Sequence, residues 1–197
     1  MKEKTIKLTA LGLSGPGWIR RLEKKKFFVS DWAKEILENP EYEKHRLKKG
    51  EEIEVALVKL TDVGDDPTTK ELQDYATARG YGLPVAEIAL LLREAVSDDE
   101  IEKIGSWYIC VLHKPIKESG GSPFVLFAFR DGGGRRLSAY WVRPGDQWGD
   151  DGLFAFPVLA SKSSALESQP LHSDTLPLEL PLGLTINGHL YKRVQNT

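Results

Sequence analysis

Residues 105–116 (GSWYICVLHKPI) open the part of the sequence that decides the fold, and apolar runs follow at 122–130 (SPFVLFAFR), 135–142 (RRLSAYWV) and 153–159 (LFAFPVL). All four runs are of strand length and are rich in the aromatic and β-branched residues that strands favour. Segments rich in Gly, Pro and Asp separate them, as turns do in a chain that reverses direction after each strand. We therefore predict an antiparallel four-stranded meander over about residues 105–159.

Both faces of the first two predicted strands are apolar. Trp107 and Ile109 alternate with Tyr108 and Cys110. In the second strand one face carries Phe, Leu and Ala and the other Val, Phe and Phe, over residues 124–129. A sheet with one face in water shows polar residues at every second position. We therefore expect both faces to be covered, by the helices of residues 68–96 on one side and by the N-terminal segment on the other.

Helix-capping residues and helical spacing precede the predicted meander. Ser30 suits the N-cap of a short helix, and Thr68 or Thr69 suits the N-cap of a later one. Alternating apolar residues over 53–60 predict a further strand. The sequence therefore predicts an α+β fold in which the meander packs on helices.

The chain is predicted to divide into four parts. After the meander the composition changes to Ser and Pro, and Asn187-Gly188 then suits a type I′ hairpin turn between short alternating strands. The predicted parts are a basic N-terminal segment with a short helix (1–50), an α+β core domain (51–160), a Ser/Pro-rich linker (161–181) and a C-terminal β-hairpin (182–197).

Length and composition place the chain among soluble globular proteins. It has 197 residues, of which 41% are hydrophobic and 28% are charged, enough for one domain with appendages or for one domain and a small second one. A single cysteine, Cys110, lies within an apolar run, which favours a reducing, cytoplasmic setting. No apolar run approaches the 18 residues of a membrane span, so we expect no membrane association.

The net charge of −2 is unevenly distributed along the chain. Residues 1–50 hold 13 Lys and Arg against 7 Asp and Glu, a charge of +6, whereas residues 51–104 hold 5 against 14, a charge of −9. Two interpretations remain open. The segments are either faces of one domain that attract each other, which we prefer, or a nucleic-acid patch beside an unrelated acidic helix pair.

Several landmarks carry a resemblance. A helix pair with a Pro and a Leu-Leu-Arg end, PTTKELQDYATARGYGLPVAEIALLLREAV (67–96), precedes the Trp and Gly-x-Pro-Phe motifs of the meander. Over about residues 50–160 this arrangement resembles one in small uncharacterised bacterial proteins. The resemblance implies a helix pair followed by a β-meander, and it carries over no catalytic residue.

The sequence predicts neither a metal site nor a cofactor. One Cys and four His, far apart in sequence, match no zinc spacing. Cys110 and His113 are three residues apart on a predicted strand, so they point to opposite faces and do not suit a Cys–His nucleophile. Asp62, Asp65 and Asp66 lack the later Glu of a calcium loop and suit a turn before a helix.

The best candidate for a binding site is the rim formed by two connections of the meander. In an up-and-down meander, residues 114–122 and 143–152 lie at the same end of the sheet. Mixed charges around an aromatic residue suit a binding surface, although the same residues also suit solvated turns with the Trp folded onto the core. The predicted rim comprises Lys114, Lys117, Arg143, Asp146, Trp148, Asp150 and Asp151.

Two basic groups are weaker candidates. Arg20, Arg21, Lys24, Lys25 and Lys26 follow Trp18 and precede two Phe residues, which suits either a nucleic-acid surface or a solvated basic helix face. The turn RDGGGRR joins two strands and does not lead into a helix, so it lacks the helix N-terminus of a phosphate loop. A small anion site is a weak prediction there, at Arg130, Arg135 and Arg136.

These features favour a non-enzymatic binding or interaction module of unknown partner, most readily a protein, and they leave the oligomeric state open. The alternative is a nucleic-acid-associated protein that uses residues 18–28. A second alternative is a hydrolase that uses the aspartates of the rim, which requires a raised pKa on one carboxyl group.

Overall fold

A computed structural model of the protein describes residues 4–149, 152–159, 184–186 and 189–191. The chain divides into two compact units, Met1–Ala160 and Ser161–Thr197. Residues before 51 contribute two strands and two helices to the first unit. The predicted linker at 161–181 lies outside the described residues.

Two of the helices begin at capping residues that the sequence predicts. Ser30 Oγ accepts a hydrogen bond from the Ala33 N–H at 3.1 Å, and Thr68 forms a reciprocal capping box with Glu71. Within the described residues, no helix combines the length and hydrophobicity needed to cross a bilayer. The helices are α1 (Gly15–Lys24), α2 (Asp31–Glu38), α3 (Thr69–Ala78), α4 (Glu87–Ala95) and α5 (Asp98–Lys103), with 3-10 helices at Pro40–His45 and Leu60–Asp62.

Eight strands of the described residues form one mixed, mostly antiparallel sheet. They are β1 (Lys4–Thr9), β2 (Phe28–Val29), β3 (Glu52–Lys59), β4 (Tyr108–Cys110), β5 (Ile116–Lys117), β6 (Pro123–Asp131), β7 (Gly134–Trp141) and β8 (Gly152–Pro157). Their order is β1-β3-β8-β4-β6-β7-β2, with β5 paired to β6. The β8–β4 and β7–β2 pairs are parallel. The prediction of an α+β fold is therefore confirmed.

The predicted four-stranded antiparallel meander over about 105–159 is wrong about its last strand. β4, β6 and β7 are antiparallel neighbours, but the connection after β7 crosses the sheet and inserts β8 between β3 and β4. There β8 runs parallel to β4, with Leu153 opposite Ile109. Every residue of β8 is buried, and a strand that is apolar on both faces is most stable in the middle of a sheet.

One face of the sheet, here called the α4 face, is covered by α1, α2 and α4. Leu126 of β6 and Leu137 of β7 are fully buried there, in one cluster with Trp18 of α1. The opposite face, here called the α3 face, packs against α3. The two helices expected together on one face are thus divided between the two faces.

The α3 face is covered over only part of its width. Phe154 and Phe156 of β8 are fully buried in the cluster that includes Leu72 of α3. Farther along the same face, Phe127 and Phe129 of β6 remain half-buried. The expectation that both faces are covered is therefore wrong for Phe127 and Phe129 of β6, although Val125 on the same face is buried.

Two buried charged groups tie α4 to its surroundings. Glu87 accepts hydrogen bonds from the Leu47 N–H at 2.7 Å and from the Trp18 indole N–H at 3.3 Å. Burial raises the pKa of Glu87, and these N–H donors oppose that shift. Arg93 is also fully buried and donates to the Phe129 carbonyl at 2.8 Å. Glu87 and Arg93 thus provide hydrogen-bond partners for buried backbone and indole groups that would otherwise be unpaired.

His113 replaces a backbone partner where the chain leaves β4. Its Nε2 accepts the Leu126 N–H at 3.0 Å, and its Nδ1–H donates to the Lys114 carbonyl at 2.8 Å. The ring packs edge-on against His45, with centroids 5.3 Å apart. Burial lowers the pKa of His113 to about 3, so the neutral ring serves a structural role.

The second unit contains a two-stranded antiparallel sheet. β9 (Leu184–Ile186) pairs with β10 (His189–Tyr191), with Ile186 opposite His189. This pairing agrees with the predicted C-terminal hairpin. The predicted type I′ turn at Asn187-Gly188 lies outside the described residues.

Candidate functional site

A cleft opens on the α3 face where the cover of α3 ends. Its cavity has a volume of about 280 Å³. Two of its aromatic side chains are strongly exposed, Trp107 at 47% and Tyr140 at 52%. Exposed aromatic groups around a concavity are typical of a binding site. The cleft is lined by Trp107, Tyr108, Cys110, Phe127, Tyr140, Gln147, Trp148 and Gly149.

Trp148 forms one wall of the cleft and is held by the start of α3. Its indole N–H donates to Thr69 Oγ1 at 2.8 Å, and its backbone N–H donates to the Pro67 carbonyl at 3.0 Å. The Thr69 N–H in turn donates to the Asp146 carbonyl at 3.0 Å. These bonds fix the connection between β7 and β8 where it crosses the sheet, so the position of Trp148 is set by α3.

Tyr108 forms the opposite wall and depends on a glycine in the neighbouring strand. Gly152 lies directly opposite Tyr108 in the β4–β8 pair. A Cβ atom on Gly152 would lie 2.2 Å from the Tyr108 hydroxyl oxygen, so only glycine leaves room for this ring. The ring packs edge-to-face against Trp107 and Phe154, at centroid distances of 4.7 and 6.2 Å.

The chemistry of the cleft is that of a neutral aromatic site. None of the described residues that line it is charged, and Gln147 contributes the polar side-chain amide. Aromatic faces attract apolar groups and cations, since the face of each ring carries partial negative charge. The arrangement is therefore suited to holding a ligand.

Cys110 lies at the floor of the cleft and is poorly suited to nucleophilic chemistry. Its side chain is fully buried, and burial raises the pKa of the thiol. His113 lies apart from it, bonded to the backbone of β6. The structure therefore does not bring Cys110 and His113 together as a nucleophile and base.

The structure distributes the predicted rim residues over several surroundings. Trp148 is 7% exposed and lies in the cleft, while Asp146 accepts the Arg143 N–H at 2.7 Å within the turn. Lys114 is exposed after β4. Asp150 and Asp151 lie outside the described residues.

Lys117 and Arg143 lie near the same end of the sheet. Lys117 pairs with Pro123 across β5 and β6, and the Pro123 carbonyl accepts the Val142 N–H at 3.0 Å. The Arg143 guanidinium, however, stacks over Trp141 at 3.9 Å from the ring centroid. Arg143 does not line the cleft. Trp148 alone among the predicted rim residues is a lining residue of the cleft within the described part of the chain.

The basic segment lies on α1 and in the turn that follows. Trp18 and Leu22 of this helix are buried, as the helical spacing predicts. Glu94 Oε1 lies 2.7 Å from Arg21 Nε and 3.1 Å from Lys25 Nζ. The remaining members Arg20, Lys24 and Lys26 are exposed. Part of the positive charge is thus neutralised by α4, in agreement with attraction between the basic and acidic segments.

The three arginines near the β6–β7 turn each contact other groups of the protein. Arg136 Nε lies 2.5 Å from Asp131 Oδ2, and Arg136 lowers the pKa of Asp131. Arg130 lies 3.5 Å from Glu102, and Arg135 donates to the Glu94 carbonyl at 3.3 Å. An anion would have to compete with these partners.

Metal-binding geometry does not occur in the described part of the chain. There, no group of three or more His, Cys, Asp or Glu side chains is placed to hold a metal ion. Asp62 ends a 3-10 helix, while Asp65 and Asp66 lie in the exposed turn before α3, as the sequence predicts for a turn.

Most of the cleft is not predicted by the sequence. The sequence identifies Trp107, Phe127 and Tyr140 as strand residues, but it gives no sign that α3 leaves part of one face open. The available signal is the alternation of side chains along each strand. Together with the antiparallel pairings, it places Cys110, Phe127 and Tyr140 on one face of the sheet. That signal identifies the face, but the extent of its cover depends on the position of α3.

Comparison with known proteins adds no assignment of the cleft. The chain matches no protein-family model, no curated protein and no solved structure. The function of the cleft therefore has to be argued from its own residues.

Proposed function

We propose that the protein is a non-enzymatic binding module whose ligand site is the cleft. The observation that carries this proposal is a cavity of about 280 Å³ walled by aromatic side chains, two of which are about half exposed. Leaving Trp and Tyr side chains in water forgoes the free energy of their burial, about 25 cal/mol for each Å². A ligand that covers them recovers part of that free energy.

The size of the cleft favours a small ligand or a single side chain of a partner. Small-molecule sites have volumes of about 300–1,000 Å³, and the cavity, at about 280 Å³, lies just below this range. Gln147 offers both a hydrogen-bond donor and an acceptor at the cavity wall. The buried thiol of Cys110, with its raised pKa, supports binding over catalysis.

The proposal can be tested with a small-molecule library and the isotope-labelled full chain. Ligands are detected by NMR, through the indole N–H signals of the 5 tryptophans. We expect hits to shift Trp107 and Trp148 and to leave Trp32 unchanged, because Trp32 stacks on Phe124 away from the cleft. Tyr140→Leu should weaken each hit about tenfold, since removing a well-packed aromatic contact costs roughly 1–2 kcal/mol.

Trp32→Leu is the matched control, because Trp32 is 52% exposed and does not line the cleft. It should leave the affinity of every hit unchanged. The proposal fails if no compound shifts the cleft signals, or if hits bind equally well after Tyr140→Leu.

A further inference from the structure

We propose that the cleft binds a small molecule carrying a quaternary ammonium group. This inference rests on the proposed function, because it names the chemical class of ligand for the same cleft. Three observations support it: the orientation of the rings, the charge around the cleft and its volume.

The rings that line the cleft are inclined to one another at several angles. Phe127 is nearly perpendicular to Tyr108, at 87°, and to Tyr140, at 90°, with centroid distances of 6.3 and 6.2 Å. Tyr140 is tilted by 41° from Trp148 at 5.2 Å. A flat ligand can stack on one of these rings, whereas a nearly spherical group can contact several of them. A trimethylammonium group has this shape and is attracted by the ring faces.

The charge around the cleft favours a cation over an anion. Its described lining residues are neutral. The Asp66 carboxylate lies beside the lining residue Gly149, since a Cβ atom built on Gly149 would lie 3.6 Å from Asp66 Oδ1. The segment 61–79, which supports the Trp148 wall, holds 5 Asp and Glu against 2 Lys and Arg. Arg143, in the same connection as Trp148, stacks on Trp141 outside the cleft. A bound cation would therefore meet aromatic rings and the nearby Asp66 carboxylate, while an anion would find no charged partner among the described lining residues.

The class of cation follows from the composition of the lining. A primary ammonium ion keeps its strong hydration unless several acceptors replace the water, and the aromatic lining offers few acceptors. A quaternary ammonium ion donates no hydrogen bond, so it loses less hydration free energy when it enters an aromatic site. Recognition of such ions by aromatic residues rests on the same attraction. The volume of about 280 Å³ suits a molecule of the size of choline.

The experiment compares choline with its neutral carbon isostere, in which a tert-butyl group replaces trimethylammonium. Both are titrated into the isotope-labelled full chain, and the indole signals of Trp107 and Trp148 are followed by NMR. We expect choline to bind about two- to thirtyfold more tightly, the ratio that a cation–π attraction of about 0.5–2 kcal/mol produces. Tyr140→Leu and Trp107→Leu should reduce this preference, and Trp32→Leu should not.

The outcomes distinguish a failure of the quaternary ammonium inference from a failure of the proposed function. Equal or tighter binding of the neutral isostere at the same residues overturns the quaternary ammonium inference and leaves the cleft as a binding site. The quaternary ammonium inference is likewise overturned if neither probe binds while library compounds shift the cleft signals. If neither the probes nor the library shift those signals, both proposals are overturned. Because Tyr140 and Trp107 are about half exposed, their variants are expected to fold.

Discussion

Leu126 and Phe127 are neighbours in β6 and point to opposite faces of the sheet, yet they differ in burial. Leu126, on the α4 face, is fully buried with side chains of α1, α2 and α4. Phe127, on the α3 face, is half-buried and lines the cleft. Similar apolar residues are thus fully buried on one face and remain partly exposed on the other. Substitutions on the two faces should therefore have different effects, and the largest difference is expected within β6 itself.

Substituting the two neighbours separately compares the faces directly. Leu126→Ala should lower the free energy of unfolding by about 3 kcal/mol, because it removes buried methyl groups and leaves a cavity in a closed core. Phe127→Ala should cost only about 1–2 kcal/mol, since part of its ring is already in water. Urea unfolding of both variants measures the two changes. Equal losses would show that the α3 face is as well covered as the α4 face.

His113 should make stability depend on pH below neutrality. Its folded pKa is about 3, whereas an imidazole in the unfolded chain has a pKa near 6.5. The unfolded state therefore binds the proton more readily between these values. The stability that depends on a neutral, buried His113 is therefore fully present above about pH 6.5. It falls by about 1.4 kcal/mol for each pH unit below that, down to about pH 3.

Unfolding free energies of the natural chain and of His113→Gln, measured from pH 7 to pH 4, test this expectation. The variant keeps an acceptor for the Leu126 N–H in its amide oxygen but does not fill the space of the imidazole ring, so it is expected to be less stable at pH 7. Its stability should nevertheless fall less steeply with decreasing pH. Parallel slopes for the two proteins would contradict a buried neutral imidazole.

Glu87→Gln tests the polar cluster that joins α4 to α1. Both carboxylate oxygens accept N–H donors, so a Gln amide would direct its own N–H groups at Leu47 or Trp18. We expect a loss of about 2 kcal/mol, typical of a buried donor without a partner. Thermal and urea unfolding measure it. Glu71→Gln, in the exposed capping box of α3, is the control and should cost less than about 1 kcal/mol.

Thr69→Val tests how α3 positions the Trp148 wall. The substitution keeps the side-chain shape but removes the acceptor for the Trp148 indole N–H. Stability should fall by about 1 kcal/mol, and ligands of the cleft should bind more weakly because the wall loses its anchor. Thr77→Val, on the exposed side of the same helix, should change stability by less than about 0.5 kcal/mol. Unchanged affinity in Thr69→Val would show that other contacts place the wall.

Local features of the fold could be predicted because their causes lie within a few residues. Ser30 and Thr68 cap their helices as expected, since a capping side chain bonds to an N–H three residues later. Three of the four apolar runs pair in the predicted order. The position of β8 could not be predicted, because it depends on which neighbours best bury both faces of the strand.

The candidate site was harder to predict than the fold. The sequence points to Trp148, but its predicted charged companions lie elsewhere or outside the described residues. The cleft joins aromatic residues from β4, β6, β7 and the connection before β8. The spacing of these residues in the sequence does not predict that they line one cleft, since their proximity depends on the order of the strands and on where α3 ends.

By itself, the sequence determined the main strands, the starts of two helices and the apolar character of both faces of the sheet. These properties follow from side-chain periodicity, β-propensity and capping, which act over short distances along the chain. Only the tertiary structure decided that β8 lies between β3 and β4, that α3 and α4 lie on opposite faces, and that an aromatic cleft remains open. The physical reason is that burial is a sum over contacts between distant segments, so the uncovered part of a face depends on where every covering element lies.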